Sequence, residues 1–317
     1  MLKMLCPEPD SFSQSGLDFA GTIADLTAVK LTQSEFNQHA SKYDAVLIRF
    51  NTKVSSDLLN KKSNLKAIIS PTTGLDHIDI TAAKNNGVQV FHLYGEKKFL
   101  KTISGTAELT IGLMISILRK IPQSFDSVKE GIWDAGLFRG NELSGKTLGI
   151  IGCGRLGTKV SRAAIALGMK VVSFDPFISR FPAGVISKRS QSEVFLEADI
   201  VSLHVPLLPE TIHLIGEDEI NQMKNGVVII NTSRGAIIES QSLISGLKKG
   251  KVSSAAVDVI ENEHSSLRKD HPFIKYAKKY DNLIITPHIG GATFESVENT
   301  DLFILRKFEK ELTKNHE

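Results

Sequence analysis

The sequence Gly152-Cys153-Gly154-Arg155-Leu156-Gly157 sets three glycines in a GxGxxG spacing. The apolar run Leu148 to Ile151 leads directly into it, and an amphipathic stretch, Thr158 to Leu167, follows it. A glycine-rich turn between a buried strand and a helix is typical of the first βα unit of a doubly wound α/β domain. The first glycine permits a tight turn, the second lets a ligand approach the backbone, and the third lets the helix pack closely against the strand.

A second β-rich run, Lys170 to Phe174, ends at Asp175, which lies 18 residues after Gly157. At about this distance a carboxylate can accept hydrogen bonds from the 2′-hydroxyl of a ribose and would repel a 2′-phosphate. The start of the intervening helix offers N–H groups and a positive dipole end to a pyrophosphate. The pattern therefore predicts NAD as the cofactor and disfavours NADP, although Arg180 is close enough in sequence to soften that preference.

Alternating strands and helices extend from this motif in both directions, which is typical of parallel sheets built from βαβ units. Counting the two runs beside the motif (Thr147–Gly152 and Lys170–Phe174), we predict six strands in the second part, the other four being Ile200–His204, Gly226–Asn231, Ser254–Val259 and Leu283–Thr286. Five further strands are predicted before residue 100, namely Leu2–Cys6, Leu26–Leu31, Ala45–Arg49, Leu65–Ser70 and Val88–His92.

Two long helices indicate how the domains are connected. One is predicted at Ser104–Lys120, between the two sets of strands, and the other at Thr293–Leu312, with no strand after it. The last helix must pack on a sheet, and we expect the first sheet to receive it. The expected fold class is α/β, with two doubly wound parallel-sheet domains: a Rossmann NAD-binding domain, 102–288, inserted in a discontinuous flavodoxin-like domain, 1–101 and 289–317.

Composition excludes several classes of protein. The 317 residues are 41% hydrophobic and 23% charged, as in an ordinary globular protein, and the net charge is only +3, without the concentrated basic surface that nucleic acid requires. Two cysteines, Cys6 and Cys153, are too few for a disulfide framework, and no metal site is expected. No secretory signal or membrane-length apolar run is visible, so we expect a cytoplasmic protein without a membrane partner.

Three predicted strands end in loops that carry polar side chains suited to hydride exchange with a carbonyl. Arg234 follows one strand, Glu261 and Glu263 follow the next, and His288 follows the last. In an open parallel sheet these loops lie at the carboxyl edge, where ligands bind. An arginine can hold a carboxylate through two parallel hydrogen bonds, and a histidine can exchange a proton near neutral pH.

These segments together resemble the D-isomer-specific 2-hydroxyacid dehydrogenases, the family that includes phosphoglycerate, D-lactate, glycerate and formate dehydrogenases. The similarity covers nearly the whole chain. The motifs that carry it are Thr73-Gly74-Leu75-Asp76-His77-Ile78-Asp79, Thr106-Ala107-Glu108, Gly145 to Gly152, His204-Val205-Pro206-Leu207, Asn231-Thr232-Ser233-Arg234-Gly235-Ala236 and Thr286-Pro287-His288-Ile289-Gly290-Gly291.

The resemblance implies a role for each matching residue. Arg234 would bind the substrate's carboxylate and carbonyl oxygen, His288 would be the acid/base, and Glu263, five residues after Asp258, would pair with His288 and favour the imidazolium; Glu261 is the competing partner. Arg49, Thr73 and Gly74 would contact the substrate, so the discontinuous domain would be substrate-binding. The implied cofactor contacts are Gly152, Gly154, Arg155, Leu156, Gly157, Asp175, His204, Val205, Pro206, Thr211, Thr232, Asp258 and Gly290.

The chain departs from the family pattern in three places. His264 stands where a proline usually follows the glutamate, and the charged segment from His92 to Ser104 is longer than usual and could rim the substrate cleft. After Glu317 there is no room for the regulatory domain that some phosphoglycerate dehydrogenases carry, so no feedback through such a domain is expected.

The function expected from the resemblance is NAD-dependent interconversion of a D-2-hydroxy acid and its 2-keto acid, of the phosphoglycerate or the hydroxypyruvate/glycerate type, by a homodimer. The alternative is an NAD(H)-binding sensor or corepressor-like protein with little turnover, because relatives of that kind keep this fold. A formate dehydrogenase-like activity is disfavoured because such enzymes typically pair the histidine with glutamine, and Glu263 is a carboxylate.

Overall fold

Two parallel sheets form the framework of the protein in the computed structural model, which describes residues 2–59, 63–263 and 266–314. By backbone contacts the chain separates into two compact units, Met1–Ile103 with Ala292–Glu317, and Ser104–Gly291. These bounds lie within three residues of the predicted ones, and the functions assigned to the two domains stay predictions.

In the first unit, the described strands form a five-stranded parallel sheet in the order β2-β1-β3-β4-β5. The strands are β1 Lys3–Cys6, β2 Asp25–Ala28, β3 Ala45–Leu47, β4 Ala67–Ile69 and β5 Gln89–Phe91. The helices are α1 Gln14–Ile23, α2 Gln33–His39, α3 Ser56–Leu59, α4 Ile80–Asn85, α5 Lys97–Leu100 and, from the end of the chain, the last helix, Phe294–Lys314. This is the flavodoxin-like order, and its direction of winding reverses between β1 and β3.

The last helix packs on the first sheet, as its apolar positions predict. Ile304, Leu305 and Phe308 are buried in one cluster with Met4, Leu47 and other side chains of the central strands. Without this helix that face of the sheet would expose its apolar side chains to water. The helix therefore belongs to the first unit although it lies about 200 residues beyond the rest of it.

The charged segment from His92 to Ser104 also packs within the first unit. It contains the short helix α5, whose Phe99 stacks on Phe303 with ring centroids 3.9 Å apart. Lys307 Nζ donates to Glu96 Oε1 at 2.6 Å. The segment is therefore attached to the last helix by an aromatic contact and an ion pair, and its role at the rim of a substrate cleft stays a prediction.

In the second unit, the described strands form a seven-stranded parallel sheet in the order β12-β11-β10-β9-β6-β7-β8. The strands are β6 Thr147–Ile151, β7 Lys170–Phe174, β8 Val185–Ser187, β9 Ile200–Leu203, β10 Val227–Asn231, β11 Val252–Val257 and β12 Leu283–Ile285. The helices are α6 Gly105–Leu118, α7 Ile121–Lys129, α8 Arg155–Ala166, α9 Gln191–Glu197, α10 Glu217–Gln222, α11 Ser240–Lys249 and α12 Pro272–Ala277, so that the last helix of the chain, Phe294–Lys314, is α13.

The prediction of six strands in this unit was wrong by one. The additional strand, β8, has three partly or fully exposed residues and lies at the edge of the sheet beside β7. An edge strand this short carries no continuous apolar run, in contrast to β10, whose five residues are all buried. The order is otherwise the doubly wound one, with β6 and β9 adjacent where the winding reverses.

No described helix combines the length and the apolar character needed to traverse a bilayer.

Candidate active site

The glycine loop after β6 has a backbone that side chains could not adopt. Gly152 has φ +89°, and a Cβ on it would lie 2.8 Å from the carbonyl oxygen of His204. A Cβ on Gly157 would lie 2.2 Å from the carbonyl oxygen of Gly152. Because contacts this short are forbidden, both positions require glycine, and the start of α8 is held directly against the loop.

The outer side of the same loop is open. Gly154 is exposed, and a Cβ there would meet no atom within 4 Å. The twelve-residue helix α8 begins at the next residue, and no side chain caps its N-terminus. An open glycine beside an uncapped helix start suits an anionic group such as a pyrophosphate. Arg155 and Leu156 are half-buried in this first turn, where burial lowers the pKa of the arginine.

Asp175 follows β7 and is fixed beside the glycine loop. Its Oδ2 accepts a hydrogen bond from the backbone N–H of Cys153 at 2.9 Å, and its Oδ1 accepts one from the N–H of Phe177 at 2.9 Å. A carboxylate oxygen can accept more than one hydrogen bond, so this geometry is compatible with further bonds from ribose hydroxyls. Together, the open loop, the helix start and this carboxylate fit a dinucleotide.

The predicted cofactor residues after β9 lie against the glycine loop. The carbonyl oxygen of His204 is the atom that Gly152 packs on. The ring of His204 bonds Ser202 Oγ at 2.9 Å through Nε2, and burial lowers the pKa of His204 to about 4. The imidazole is therefore neutral at physiological pH.

The rest of this loop is closed by its own hydrogen bonds. Thr211 Oγ1 donates to the carbonyl oxygen of Pro206 at 2.7 Å and accepts from the N–H of Leu208 at 2.8 Å. Ser233 Oγ donates to the carbonyl oxygen of Val205, which ties this loop to the one after β10. The structure thus gives Thr211 a part in shaping the loop, and its contact with the cofactor stays a prediction.

His288 and Glu263 meet although 25 residues separate them in the sequence: Nδ1 of His288 lies 2.6 Å from Oε1 of Glu263. The side chains are 23% and 19% exposed, respectively, so the pair is accessible but largely shielded from water. A carboxylate bonded to one ring nitrogen orients the imidazole and stabilises its protonated form. The predicted effect of His264 on this loop lies outside the described residues.

Glu261, the competing partner of His288, is bound elsewhere. Its Oε1 lies 2.8 Å from Nε2 of His213, and its Oε2 accepts a hydrogen bond from Ser240 Oγ at 2.9 Å. Asn262, between the two glutamates, has φ +53°. This left-handed residue separates two acidic side chains that bind different histidines.

Asp258 anchors the loop that carries His288. Its carboxylate is buried and accepts hydrogen bonds from Thr286 Oγ1 at 2.6 Å, from the N–H of Ile289 at 2.8 Å and from the N–H of Gly290 at 2.8 Å. Burial raises the pKa of Asp258, and these three donors oppose that rise. A Cβ on Gly290 would lie 3.0 Å from Oδ2 of Asp258, so glycine permits this close approach. The sequence suggested only a cofactor contact for Asp258, which stays a prediction.

The turn that carries Arg234 packs on the loop after β11. A Cβ on Gly235 would lie 2.0 Å from the carbonyl carbon of Ile260, so the two backbones are in direct contact. Asn231 Nδ2 donates to the carbonyl oxygen of Arg234 at 2.9 Å, and Arg234 Nη1 donates to that of Ser233 at 2.8 Å. These bonds fix the turn from which the guanidinium extends.

Backbone hydrogen bonds join the ends of the three strands that carry the site. The N–H of Asp258 donates to Asn231 at 2.9 Å, and the N–H of His288 donates to Asp258 at 2.8 Å. Thr232, beside Asn231, is buried and bonds Thr110 on α6, Oγ1 to Oγ1, at 2.8 Å. The structure thus brings the loops of Arg234, Glu263 and His288 together at one edge of one sheet.

The predicted substrate residues lie at the carboxyl edge of the first sheet. Arg49 follows β3, and Thr73 and Gly74 follow β4. Thr72 Oγ1 donates to the carbonyl oxygen of Gly74 at 2.8 Å and so closes the second turn. Their contact with substrate stays a prediction.

Sequence reasoning missed the partner of Arg49. Its Nη2 lies 2.5 Å from Oδ1 of Asp301 on α13. A signal for this was available, because Asp301 interrupts an apolar helix face with Ile304, Leu305 and Phe308. A buried carboxylate on such a face requires a partner of opposite charge.

Within the described part of the chain, no group of three His, Cys, Asp or Glu side chains is arranged to hold a metal ion.

Comparison with known proteins agrees with this geometry. A family model described as the NAD-binding domain of D-isomer-specific 2-hydroxyacid dehydrogenases matches residues 111–290. D-3-phosphoglycerate dehydrogenase of Archaeoglobus fulgidus is 38% identical over 307 residues, which are 96% of this chain and 56% of that protein. Hydroxypyruvate reductase of Thermotoga maritima is 35% identical over 288 residues, 91% of each chain. D-lactate dehydrogenase of Aquifex aeolicus, solved with NAD and lactic acid, superposes with a TM-score of 0.83 at 29% identity and 98% and 96% coverage of the two chains.

The chain belongs to the D-isomer-specific 2-hydroxyacid dehydrogenase family. Residues 111–290 match its NAD-binding domain, so the predicted family, fold class and cofactor are confirmed, as is the prediction that the chain belongs to a class of NAD-dependent enzymes acting on CH–OH groups. The chain spans a little over half the length of the archaeal phosphoglycerate dehydrogenase.

Proposed function

We propose that this chain is an NAD-dependent oxidoreductase that interconverts a D-2-hydroxy acid and its 2-keto acid. The observation that carries the proposal is the His288–Glu263 pair, 2.6 Å apart, on loops joined to the Arg234 turn in the same unit as the glycine loop. Relatives named as D-3-phosphoglycerate dehydrogenase and hydroxypyruvate reductase support this class of substrate.

Each of the three side chains has a separate task in this reaction. Arg234 binds the carboxylate of the keto acid and orients its carbonyl group. His288, held by Glu263, gives a proton to the carbonyl oxygen during reduction and takes it back during oxidation. NADH, when bound, supplies the hydride. Glu263 stays ionised throughout and stabilises the imidazolium that donates the proton.

The substrate is a small acid of the phosphoglycerate or the hydroxypyruvate/glycerate type. Arg49, Thr73 and Gly74 contact it at the carboxyl edge of the first sheet, which is where open α/β sheets bind ligands. Cys153, between the glycines of the loop, takes no part, since its thiol is buried and burial raises its pKa.

The protein acts as a homodimer. Large apolar side chains are exposed along one stretch of the second unit, and Trp133 is 88% exposed. The others are Ile121, Phe125, Val128, Ile132 and Leu137. A groove beside them is lined by Val128, Ile132 and Phe138. A ridge and a groove on the same surface suit a two-fold contact with a second copy.

Light scattering coupled to size exclusion tests the dimer. A mass twice that of the chain is expected for the wild type, and Trp133→Glu is expected to shift the protein toward monomer. A wild-type protein that stays monomeric at micromolar concentration would contradict the proposal.

The reaction is tested by following NADH oxidation at 340 nm with purified protein and a panel of 2-keto acids. The panel holds hydroxypyruvate, phosphohydroxypyruvate, glyoxylate, pyruvate, 2-oxoglutarate and branched keto acids. Saturable turnover with one of them is expected. NADH binding without turnover on any member would favour the alternative, a sensor or corepressor-like protein that keeps the site without using it.

A further inference from the structure

A group of charged side chains lies at the carboxyl edge of the first sheet, between β1 and β3, where the winding of the sheet reverses. Glu8 is on the loop after β1, and Arg49 is on the loop after β3. Asp301 reaches the same place from α13. The reversal point of an open α/β sheet is the crevice in which its ligands bind. The charges at this point therefore act on whatever acid the first unit accepts.

The positive charge of Arg49 is already compensated there. Its Nη2 lies 2.5 Å from Oδ1 of Asp301 and 3.1 Å from Thr300 Oγ1, and its side chain is only 13% exposed. Oδ2 of Asp301 accepts hydrogen bonds from Ser13, from the N–H at 2.8 Å and from Oγ at 2.9 Å. Three donors around a fully buried carboxylate favour its ionised form, although burial raises the pKa of Asp301.

Glu8 adds a second carboxylate to this group. It is 8% exposed, and its Oε1 accepts a hydrogen bond from the backbone N–H of Arg49 at 2.8 Å. Its Oε2 is buried and has no hydrogen-bond partner in the described part of the chain. A buried carboxylate oxygen with unused acceptor capacity is stabilised by a donor and destabilised by another anion. Two carboxylates against one guanidinium make the group formally negative.

We infer that Glu8 and Asp301 select the substrate: the first unit accepts a 2-hydroxy acid whose distal group is neutral and can donate a hydrogen bond, and disfavours a phosphate monoester. A doubly charged phosphate would approach a group of net negative charge through a poorly solvated crevice, where like charges repel strongly. A distal hydroxyl brings no such charge and offers a donor. This inference rests on the proposed function and narrows it to the glycerate type.

Calorimetry on the NAD-saturated protein tests the inference independently of turnover, with D-glycerate and 3-phospho-D-glycerate as the titrants. The wild type is expected to bind D-glycerate at least about 10-fold more tightly. Glu8→Gln removes one negative charge and keeps the side-chain size. It is expected to narrow this ratio about 5-fold or more, mainly through tighter binding of the phosphorylated acid.

Two further variants make the result specific. Asp18→Asn makes the same charge change at an exposed position on α1 of the same unit, and is expected to leave the ratio unchanged. Asp301→Asn serves as a second test variant, since it also removes a negative charge beside Arg49, and should narrow the ratio in the same direction.

The outcomes separate this inference from the proposed function. If the wild type binds 3-phospho-D-glycerate as tightly as D-glycerate or more tightly, the inference is wrong, whether or not the variants fold. If neither acid binds, or if Glu8→Gln weakens both acids equally, it is also wrong. A preference for D-glycerate without turnover of hydroxypyruvate and NADH would retain the inference and overturn the proposed reaction.

Discussion

Nδ1 of His288 lies 2.6 Å from Oε1 of Glu263, and each residue is held by a different strand end. The histidine loop is fastened by Asp258, and the glutamate loop is in contact with the Arg234 turn. The acid/base pair is therefore positioned by the sheet edge as a whole. Substitutions within the pair should change chemistry more than folding or cofactor binding.

Replacement of His288 by alanine should reduce turnover about 100-fold or more, because no other group would donate the proton to the carbonyl oxygen. The dissociation constant for NADH, measured by fluorescence titration, should stay within about 2-fold, since the glycine loop is untouched. Unchanged turnover would show that the proton comes from another group.

Replacement of Glu263 by glutamine should lower kcat about 10-fold or more, because a neutral amide does not stabilise the imidazolium. Glu261→Gln is the matched control, since this residue is two positions away and bonds His213 and Ser240. Steady-state kinetics of both variants should show a large loss only for the first. An equal loss in both would mean that the loop, and not the pair, carries the effect.

Arg234→Lys should lower kcat/KM about 100-fold, because an ammonium cannot form the two parallel hydrogen bonds that orient a carboxylate. Most of the loss should appear in KM for the keto acid, with little change in NADH affinity. Arg162→Lys, at an exposed position on α8, is the control and should behave like wild type. A loss confined to NADH binding would place Arg234 at the cofactor and not at the substrate.

Asp175→Ser should raise the NADPH to NADH ratio of kcat/KM about 10-fold or more, because it removes the charge that repels a 2′-phosphate. Serine can also accept the hydrogen bonds that Asp175 now receives from Cys153 and Phe177, so the loop should keep its shape. The ratio is obtained with one keto acid at fixed concentration. An unchanged ratio would assign cofactor choice to other groups, Arg180 included.

The unliganded protein should lose stability as the pH falls from 7 to 5, partly because of His204. Burial lowers the pKa of this residue from 6.5 to about 4, so the unfolded chain binds its proton first. A base with a depressed pKa stabilises the fold above its unfolded pKa and loses that contribution below it. For this shift the loss over that range is at most about 2 kcal/mol.

Urea denaturation at the two pH values measures this effect. His204→Gln can keep the bond to Ser202 and does not titrate, so its stability should depend less on pH by that amount. The same pH dependence in both proteins would assign the loss to other groups.

The sequence predicted the two sheets and the loops of the site because parallel strands buried on both faces have continuous apolar runs. The spacing of the glycines likewise identified the turn before α8. It did not predict β8, whose three residues are at the sheet edge, nor α1, whose Gly16 and Gly21 weaken the helical pattern.

Pairings between distant residues were the least predictable part of the site. The sequence left open whether Glu261 or Glu263 faces His288, because two residues of loop can direct either side chain inward. The left-handed conformation of Asn262 separates their directions in the structure. Arg49 and Asp301 are 252 positions apart, and only the return of α13 to the first sheet brings them together.

The backbone of His288 has φ +56°, a conformation that glycine or asparagine adopts at lower cost than histidine. The protein therefore retains a residue that is locally unfavourable for the chain, at a cost of order 1 kcal/mol, for the sake of its ring. Where selection for turnover is relaxed, mutation toward glycine or asparagine at this position would be favoured by stability alone. Relatives that have kept the fold and given up catalysis should carry that exchange, which makes this position a record in the sequence of whether a lineage still uses the reaction.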